Sequence, residues 1–297
     1  MPSGAIGGAS AAVEFLELTG CDGLARLDTE LNKLNGEMWR APRILIEAEN
    51  VALCEANNAS ALFYGAPLAD WLSAMLVDSP QASIMVGGGL HSEVLAAVPC
   101  ILARQGHSCL LIHIGNSPLE RGRFSVSAGM SAGPENWSFT HTESTPESLD
   151  EWAHAMSKPL CSLEYLNDLT AAVVSWWGNG DEAGKENSKG MPMPAANATP
   201  AAPAFPDGSD IALLVAINGH SHQPLESLEE KLNTLHRDGR SDAAEPATTF
   251  TASSFAARKK AVLAQGWPMP RERWTRLMAF ADRTLVRSSE QSRLGAG

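Results

Sequence analysis

The sequence predicts an α+β protein with a central mixed sheet and flanking helices. Three stretches lead to that reading. Residues 9–34 place Ala12, Val13, Phe15, Leu16, Leu24, Leu27, Leu31 and Leu34 at helical spacing. Ala82–Val86 and Ser108–Ile114 are apolar strand candidates on either side of a helical window, Ser92 to Gln105. Asp210-Ile-Ala-Leu-Leu-Val-Ala-Ile reads as a buried strand, with helical segments after it.

Gly20 and Gly23 interrupt the first pattern, so residues 9–34 divide into two helices joined at Cys21-Asp22-Gly23. Arg43–Glu47 is a short strand candidate. A helix spans Pro67 to Val77, with the proline near the start, where its missing N–H does no harm. Gly87-Gly88-Gly89 reads as a turn after the strand at Ala82–Val86, and Pro99 should kink or divide the helix that follows. Arg123–Ser127 and Ser138–Thr142 are shorter strand candidates. Helices run over 146–157 and 162–176, the second with Leu163, Leu166, Leu169, Val173 and Trp177 on one stripe.

Residues 178–208 are rich in Gly, Ala, Asn and Pro and nearly lack large apolar side chains. Burial there cannot offset the cost of ordering, which makes the segment a mobile loop or linker. After the strand at 210–217 come a helix at Leu225–His236 and a polar loop at 239–249. A helix capped by Ser253 then reaches Gln265, and a last helix follows Pro270. There is no internal repeat. The chain thus divides into a mainly helical segment (1–80), a strand–helix–strand region (81–177), the linker (178–208), and strand, helices and polar tail (209–297).

The bulk properties exclude several classes of function. A chain of 297 residues is long enough to bury roughly 75% of its unfolded surface. Its 44% hydrophobic and 19% charged content is ordinary for a soluble globular protein. No apolar run approaches the roughly 20 residues of a membrane helix, and the N-terminus lacks the basic region of a signal peptide, so a cytoplasmic protein is expected. Five scattered cysteines without a Cys-x-x-Cys pair argue against a disulfide framework and a zinc ribbon. A net charge of −12 disfavours nucleic acid. From Ser254 onward, however, nine Lys or Arg face three acids, a basic stretch read as a solvated face or a contact with acidic surface of the same protein.

Candidate chemistry is sparse. Gly87-Gly88-Gly89-Leu90-His91 has the composition of an anion nest, but it matches neither G-x-x-x-x-G-K-[ST] nor G-x-G-x-x-G, and a plain tight turn is the better reading. His107 and His113 flank or occupy a strand and read as satisfied, half-buried histidines. His220 and His222 lack carboxylates in a known metal-binding order, so no metal is expected. Ser-His-Asp catalysis has no G-x-S-x-G elbow to support it. Cys21 beside Asp22 reads as a small buried residue.

Taken in order, four segments resemble the non-Rossmann malate/L-lactate dehydrogenase family, which also includes cyclic imino acid reductases and ureidoglycolate and sulfolactate dehydrogenases. Ala11 to Leu27 resembles the helix leading to the family's G-H-x-S-H-G-V-x-R-L motif. Ala82 through Gly115-Asn116-Ser117 is similar to its strand–glycine–helix–strand ending in N-S-x-H. Tyr165 to Ser175 resembles the helix after K-G-Y-G. Asp210 to Asp282 is similar to its last stretch, with Gly266-Trp267-Pro268-Met269-Pro270 standing for G-I-P-L-P. The closing Arg283-Thr284…Ser289-Glu290-Gln291-Ser292-Arg293 resembles instead an uncharacterised bacterial family, whose members often begin with an extra helix, so a shortened N-terminus is expected.

The resemblance implies a dehydrogenase-like scaffold, a homodimer, a small carboxylate ligand (a 2-oxo, 2-hydroxy or imino acid) and NAD or NADP as cofactor. It assigns Arg26 to grip the carboxylate through its fork of donors, with Asn116 and Ser117 lining the pocket. The family's motif histidine serves proton transfer, and Thr19 to Leu24 carries none here. The second histidine is missing after Asn116-Ser117, and the G-T-N-P and aspartate-rich cofactor segments have no counterpart. Losing a general acid typically costs about 10²–10⁴-fold. His91 and Glu120 are the candidate substitutes. No residue is assigned a catalytic role, dehydrogenase turnover is doubtful, and the alternative is a non-catalytic subunit using the basic C-terminal face.

Overall fold

The computed structural model describes residues 3–34, 42–89, 92–115, 123–133, 135–143, 163–178, 210–219, 248–266 and 269–284. The expected helices at 146–157 and 225–236, the linker and the C-terminal tail lie outside these residues. The fold is α+β. Its centre is an eight-stranded mixed sheet with helices on both faces.

Chain order gives helices α1 (Ser3–Thr19) and α2 (Gly23–Leu34), then strands β1 (Arg43–Glu47) and β2 (Val51–Glu55). Helix α3 (Ala61–Asp78), strand β3 (Gln81–Gly89), a 3₁₀ segment (Ser92–Ala96) and helix α4 (Ala97–Arg104) follow. Next come β4 (Ser108–Gly115), β5 (Arg123–Ser131), β6 (Trp137–Glu143) and α5 (Leu163–Gly178). The last described elements are β7 (Asp210–Ile217), β8 (Thr248–Thr251), α6 (Ala252–Gln265) and α7 (Arg271–Thr284).

Strands run in the order β1-β2-β3-β7-β4-β5-β6-β8. β2 and β3 pair in parallel and the other neighbours pair antiparallel. β7 lies between β3 and β4, antiparallel to each, so β2, β3 and β4 all point the same way.

Period-two alternation sends side chains to two cores. On one face Ala52, Cys54, Ile84, Cys109, Leu111, Phe139, Ala212 and Leu214 pack with α1, α3 and α4. On the other, Val51, Leu53, Met85, Leu110, Ile112, Val126, Leu213 and Val215 meet α5 through Leu166, Leu169, Val173 and Trp177. The expected stripe of α5 is buried apart from its first member, Leu163, which is exposed. A buried 2.7 Å bond between the Ser83 and Thr170 hydroxyls fixes α5 to this face.

Several boundaries differ from expectation. Strand β2 was not anticipated. α3 begins six residues before Pro67, at Ala61, because Ser60 caps it by accepting the Leu62 N–H. The proline therefore sits inside the helix, at an exposed position. The three glycines form no turn: β3 continues to Gly89, with a register shift between Gly87 and Gly89. Gly88 takes φ 72°, a left-handed backbone that glycine adopts without strain. Pro99 lies in the first turn of α4, and the 3₁₀ segment ahead of it divides the expected helix. The cap of α6 is Thr251, closed into a capping box by Ser254 rather than by Ser253.

Candidate functional site

The shared direction of β2, β3 and β4 brings Glu55, Gly89 and Gly115 to one end of the sheet, where β7 begins at Asp210 and β6 ends at Glu143. The carboxyl ends of parallel strands are the usual place for ligands in sheets covered by helices. Asn116 and Ser117 follow Gly115 in the chain and lie outside the described residues. His91, Glu120, His220 and His222 lie outside them too.

This end carries polar side chains beneath the helices. His113 on β4, Ser125 and Ser127 on β5, and Asp210 on β7 are at most 5% exposed. Alternation places all four on the α4 side of the sheet, with Leu111 and Ala212. His113 pairs across the ladder with Ser125 and with Ala212, so Asp210 stands diagonally across from it. Diagonal neighbours on one face are about 7–8 Å apart at the backbone, within reach of longer side chains. Ser127 pairs with His141 on β6, and its hydroxyl meets His141 Nδ1 at 2.8 Å. The imidazole of His141 stacks near Phe139. Apolar side chains would fill these positions at lower desolvation cost, which makes the row stand out.

Arg26 occupies the first part of α2 and is partly buried. Its Nε donates to the Cys21 carbonyl at 2.9 Å across the corner between α1 and α2. The same corner is closed by Leu24 N–H donating to the Glu17 carboxylate at 3.0 Å. Thr19, within the motif segment that carries no histidine, is buried and donates its hydroxyl to helical carbonyls at Phe15 and Leu16. α2 packs on α1 and on α7, where Arg276 makes a two-pronged ion pair with Asp28.

A separate open cleft of about 990 Å³ lies between α1, α3, α4 and the β1–β2 edge. Phe63, Tyr64, Trp71 and Ile44 make it largely apolar, and Arg26 does not line it. Cys54 is at its base, and burial pushes that thiol up to about 12, as it does Cys100 in α4, so neither is a nucleophile near neutral pH. His107 lies in the turn ahead of β4, at the opposite end of that strand from Gly115, and burial lowers its affinity for a proton.

NAD or NADP would need a cradle for its pyrophosphate, and the three glycines do not fit one. The carbonyls of Gly87 and Gly88 accept the Ala56 and Asn58 N–H groups at 2.8 Å. The Glu55 side chain lies against Gly88, where an acid disfavours phosphate. Among the described residues no group of three or more His, Cys, Asp or Glu side chains is arranged to hold a metal. No described helix is long and apolar enough to cross a membrane.

The sequence picks out Arg26 and Asn116, reads His113 as a satisfied, half-buried histidine and gives Asp210 only as the start of a strand. The signal for the pair was the alternation of each strand, which needed the pairing of β4 with β7 to become a site.

No family model matches the chain, and no curated protein matches it in sequence. In shape it is similar to a dehydrogenase from Sinorhizobium meliloti, at 13% identity and a TM-score of 0.48 over 92% of this chain and 90% of that one. It is similar also to malate dehydrogenase from Entamoeba histolytica, at 13% identity and 0.47 over 91% and 89%. A third likeness is to delta1-piperideine-2-carboxylate reductase from Pseudomonas syringae pvar. tomato, at 13% identity and 0.41 over 92% and 98%.

Proposed function

We propose that the chain binds a small 2-oxo, 2-hydroxy or imino acid at the end of the sheet where β2, β3 and β4 finish, on an oxidoreductase-like scaffold that lacks the family's route for proton transfer. The observation that carries the reading is the row of buried polar side chains at that end, His113, Ser125, Ser127 and Asp210. Polar groups gathered near the carboxyl ends of strands support a ligand reading. Arg26 is the proposed carboxylate holder.

The test is thermal melting with a panel of small 2-oxo acids, NADH and NADPH. A ligand at 100 times its Kd stabilises the folded state by about 2.7 kcal/mol, a clear melting shift. An acid should shift wild type and shift Arg26→Ala much less. A nicotinamide nucleotide that shifts melting would restore the dehydrogenase reading. If no acid shifts the wild type, the ligand reading fails.

One observation favours the second reading, a non-catalytic subunit. α7 has no buried residue among its described side chains, and it exposes Trp274 and Met278 one turn apart, with Leu263 exposed on α6. Trp, Met and Arg are enriched where proteins meet. Of the basic residues here, Lys259 pairs with Glu14 and Arg276 with Asp28 within the chain, as the sequence reading of this face allowed. In this reading the protein is a homodimer in sedimentation velocity, and the double variant Trp274→Ser, Met278→Ser sediments as a monomer. A wild type that stays monomeric at every concentration defeats it.

A further inference from the structure

We propose that the open cleft between α1, α3, α4 and the β1–β2 edge binds a free aromatic amino acid. Asp70 and the Phe63 carbonyl hold its ammonium, and Arg104 holds its carboxylate. The cleft shares no lining residue with the strand-end row, so the two sites stand or fall separately.

The apolar part of the cleft sets the size and kind of ligand. Its volume of about 990 Å³ accommodates a small molecule, and sites for such molecules are mostly apolar with a few orienting polar groups. Phe63 and Tyr64 of α3 are buried in its lining, with Trp71 half-buried beside them. Three aromatic side chains in one lining favour a fourth ring packed among them. Cys54 at the base is a neutral thiol, since burial pushes it up to about 12, so it adds no charge there.

A proline inside α3 supplies the first polar group. Phe63, Pro67, Asp70 and Trp71 lie on one stripe of the helix by their spacing, and all four line the cleft. Pro67 has no N–H to give the Phe63 carbonyl, its acceptor in an unbroken helix. That carbonyl points along the axis toward Pro67, and Asp70 stands about one turn further on. A carbonyl and a carboxylate are both acceptors, whereas an ammonium has only donors. Aromatic neighbours favour the same positive charge.

Arg104 brings the opposite charge from the last turn of α4. It is exposed, as Asp70 is, and among the described residues no ion pair joins the two. Next to it, Gln105 accepts the Ser73 hydroxyl through Oε1 at 2.8 Å, which ties α4 to α3 and leaves the amide N–H groups as donors. A simple acid in this cleft would meet Asp70, and a simple amine would meet Arg104. A zwitterion satisfies both charges at once, and an amino acid is the small molecule that carries them beside an apolar side chain.

The experiment is calorimetric titration with L-phenylalanine and L-tryptophan, then with 2-phenylethylamine and 3-phenylpropanoate, which each lack one charged group of phenylalanine. Wild type should bind L-phenylalanine about tenfold more tightly than either analogue, the worth of one charge-assisted hydrogen bond. Arg104→Gln should remove the advantage over the amine, and Asp70→Asn the advantage over the acid. Both positions are exposed, so neither substitution disturbs the core. Pro67→Ala returns an N–H to the Phe63 carbonyl. It should raise the melting temperature and weaken L-phenylalanine binding about threefold. No binding of either amino acid in the millimolar range overturns the site. Equal affinity for phenylalanine and its two analogues overturns the zwitterion. Binding unchanged in both charge variants overturns the assignment to this cleft, and binding unchanged in Pro67→Ala overturns the part given to the carbonyl.

Discussion

Gly129→Ala should lower stability by about 3 kcal/mol, near the upper end for inserting a single carbon into a packed core. For a chain of this size that corresponds to a fall in melting temperature of about 6–12 °C, measured by calorimetry. Gly129 lies in β5 directly beneath α4, and a Cβ built there would stand 2.0 Å from the Pro99 carbonyl oxygen and 2.4 Å from its carbon. A side chain in that place would rotate away, but a helix backbone cannot. α4 must lift off the sheet, and the contacts of Val98, Leu102 and Ala103 with the core loosen together. Pro99 also explains why the approach is so close: proline has no N–H to satisfy, and it occupies the first turn of α4, where none is needed. A Gly129→Ala protein that melts with wild type would mean that α4 does not rest on β5 in this way.

Phe139→Ala is expected to cost about 3–5 kcal/mol, the usual range for emptying a large aromatic site. Its ring is 1% exposed and meets Phe15 edge to face, with centroids 4.7 Å apart and planes at 88°. Phe15 in turn lies beside Phe255 at 6.1 Å, and Phe255 beside Trp137 at 5.6 Å. Phe255 is the one buried residue among the described side chains of α6, so this cluster is the buried anchor of α6. In denaturant unfolding of Phe139→Ala, Phe15→Ala and the double variant, the double should cost about 0.5–1.5 kcal/mol less than the sum of the singles. Additive single costs would show that the two rings do not interact as described.

The elements whose boundaries were legible are those with one wet face or a clear breaker. The helix pair at residues 3–34 showed its corner because Gly20 and Gly23 broke a regular apolar pattern. β7 was legible because Ile211 to Ala216 are all apolar and all buried, as a central strand requires. α3 was misplaced at its start for the opposite reason. Ala61 to Gly65 are buried without exception, and a helix buried all round has no period to read. β2 was too short and too close to Glu49 and Asn50 to register as a strand. The glycines of β3 were misread because their composition favours turns, whereas here they extend a strand through a bulge.

The candidate site divides along the same line. Arg26 and Asn116 were found from short motifs, which are local. His113 and Asp210 are 97 positions apart in the chain, and only the order β3-β7-β4 makes them neighbours. Nothing in either strand announces which partner it takes.

That order has a consequence for how the protein is made. On a ribosome, β3 and β4 emerge long before β7, the strand that must sit between them. Until Ile217 is clear of the exit tunnel, each holds an open, apolar edge of the kind that invites mispairing. The sheet can therefore close only after more than two thirds of the chain has been synthesised. Supplied separately, a C-terminal fragment that starts within the linker and carries β7 would be the natural means of completing the N-terminal portion in trans.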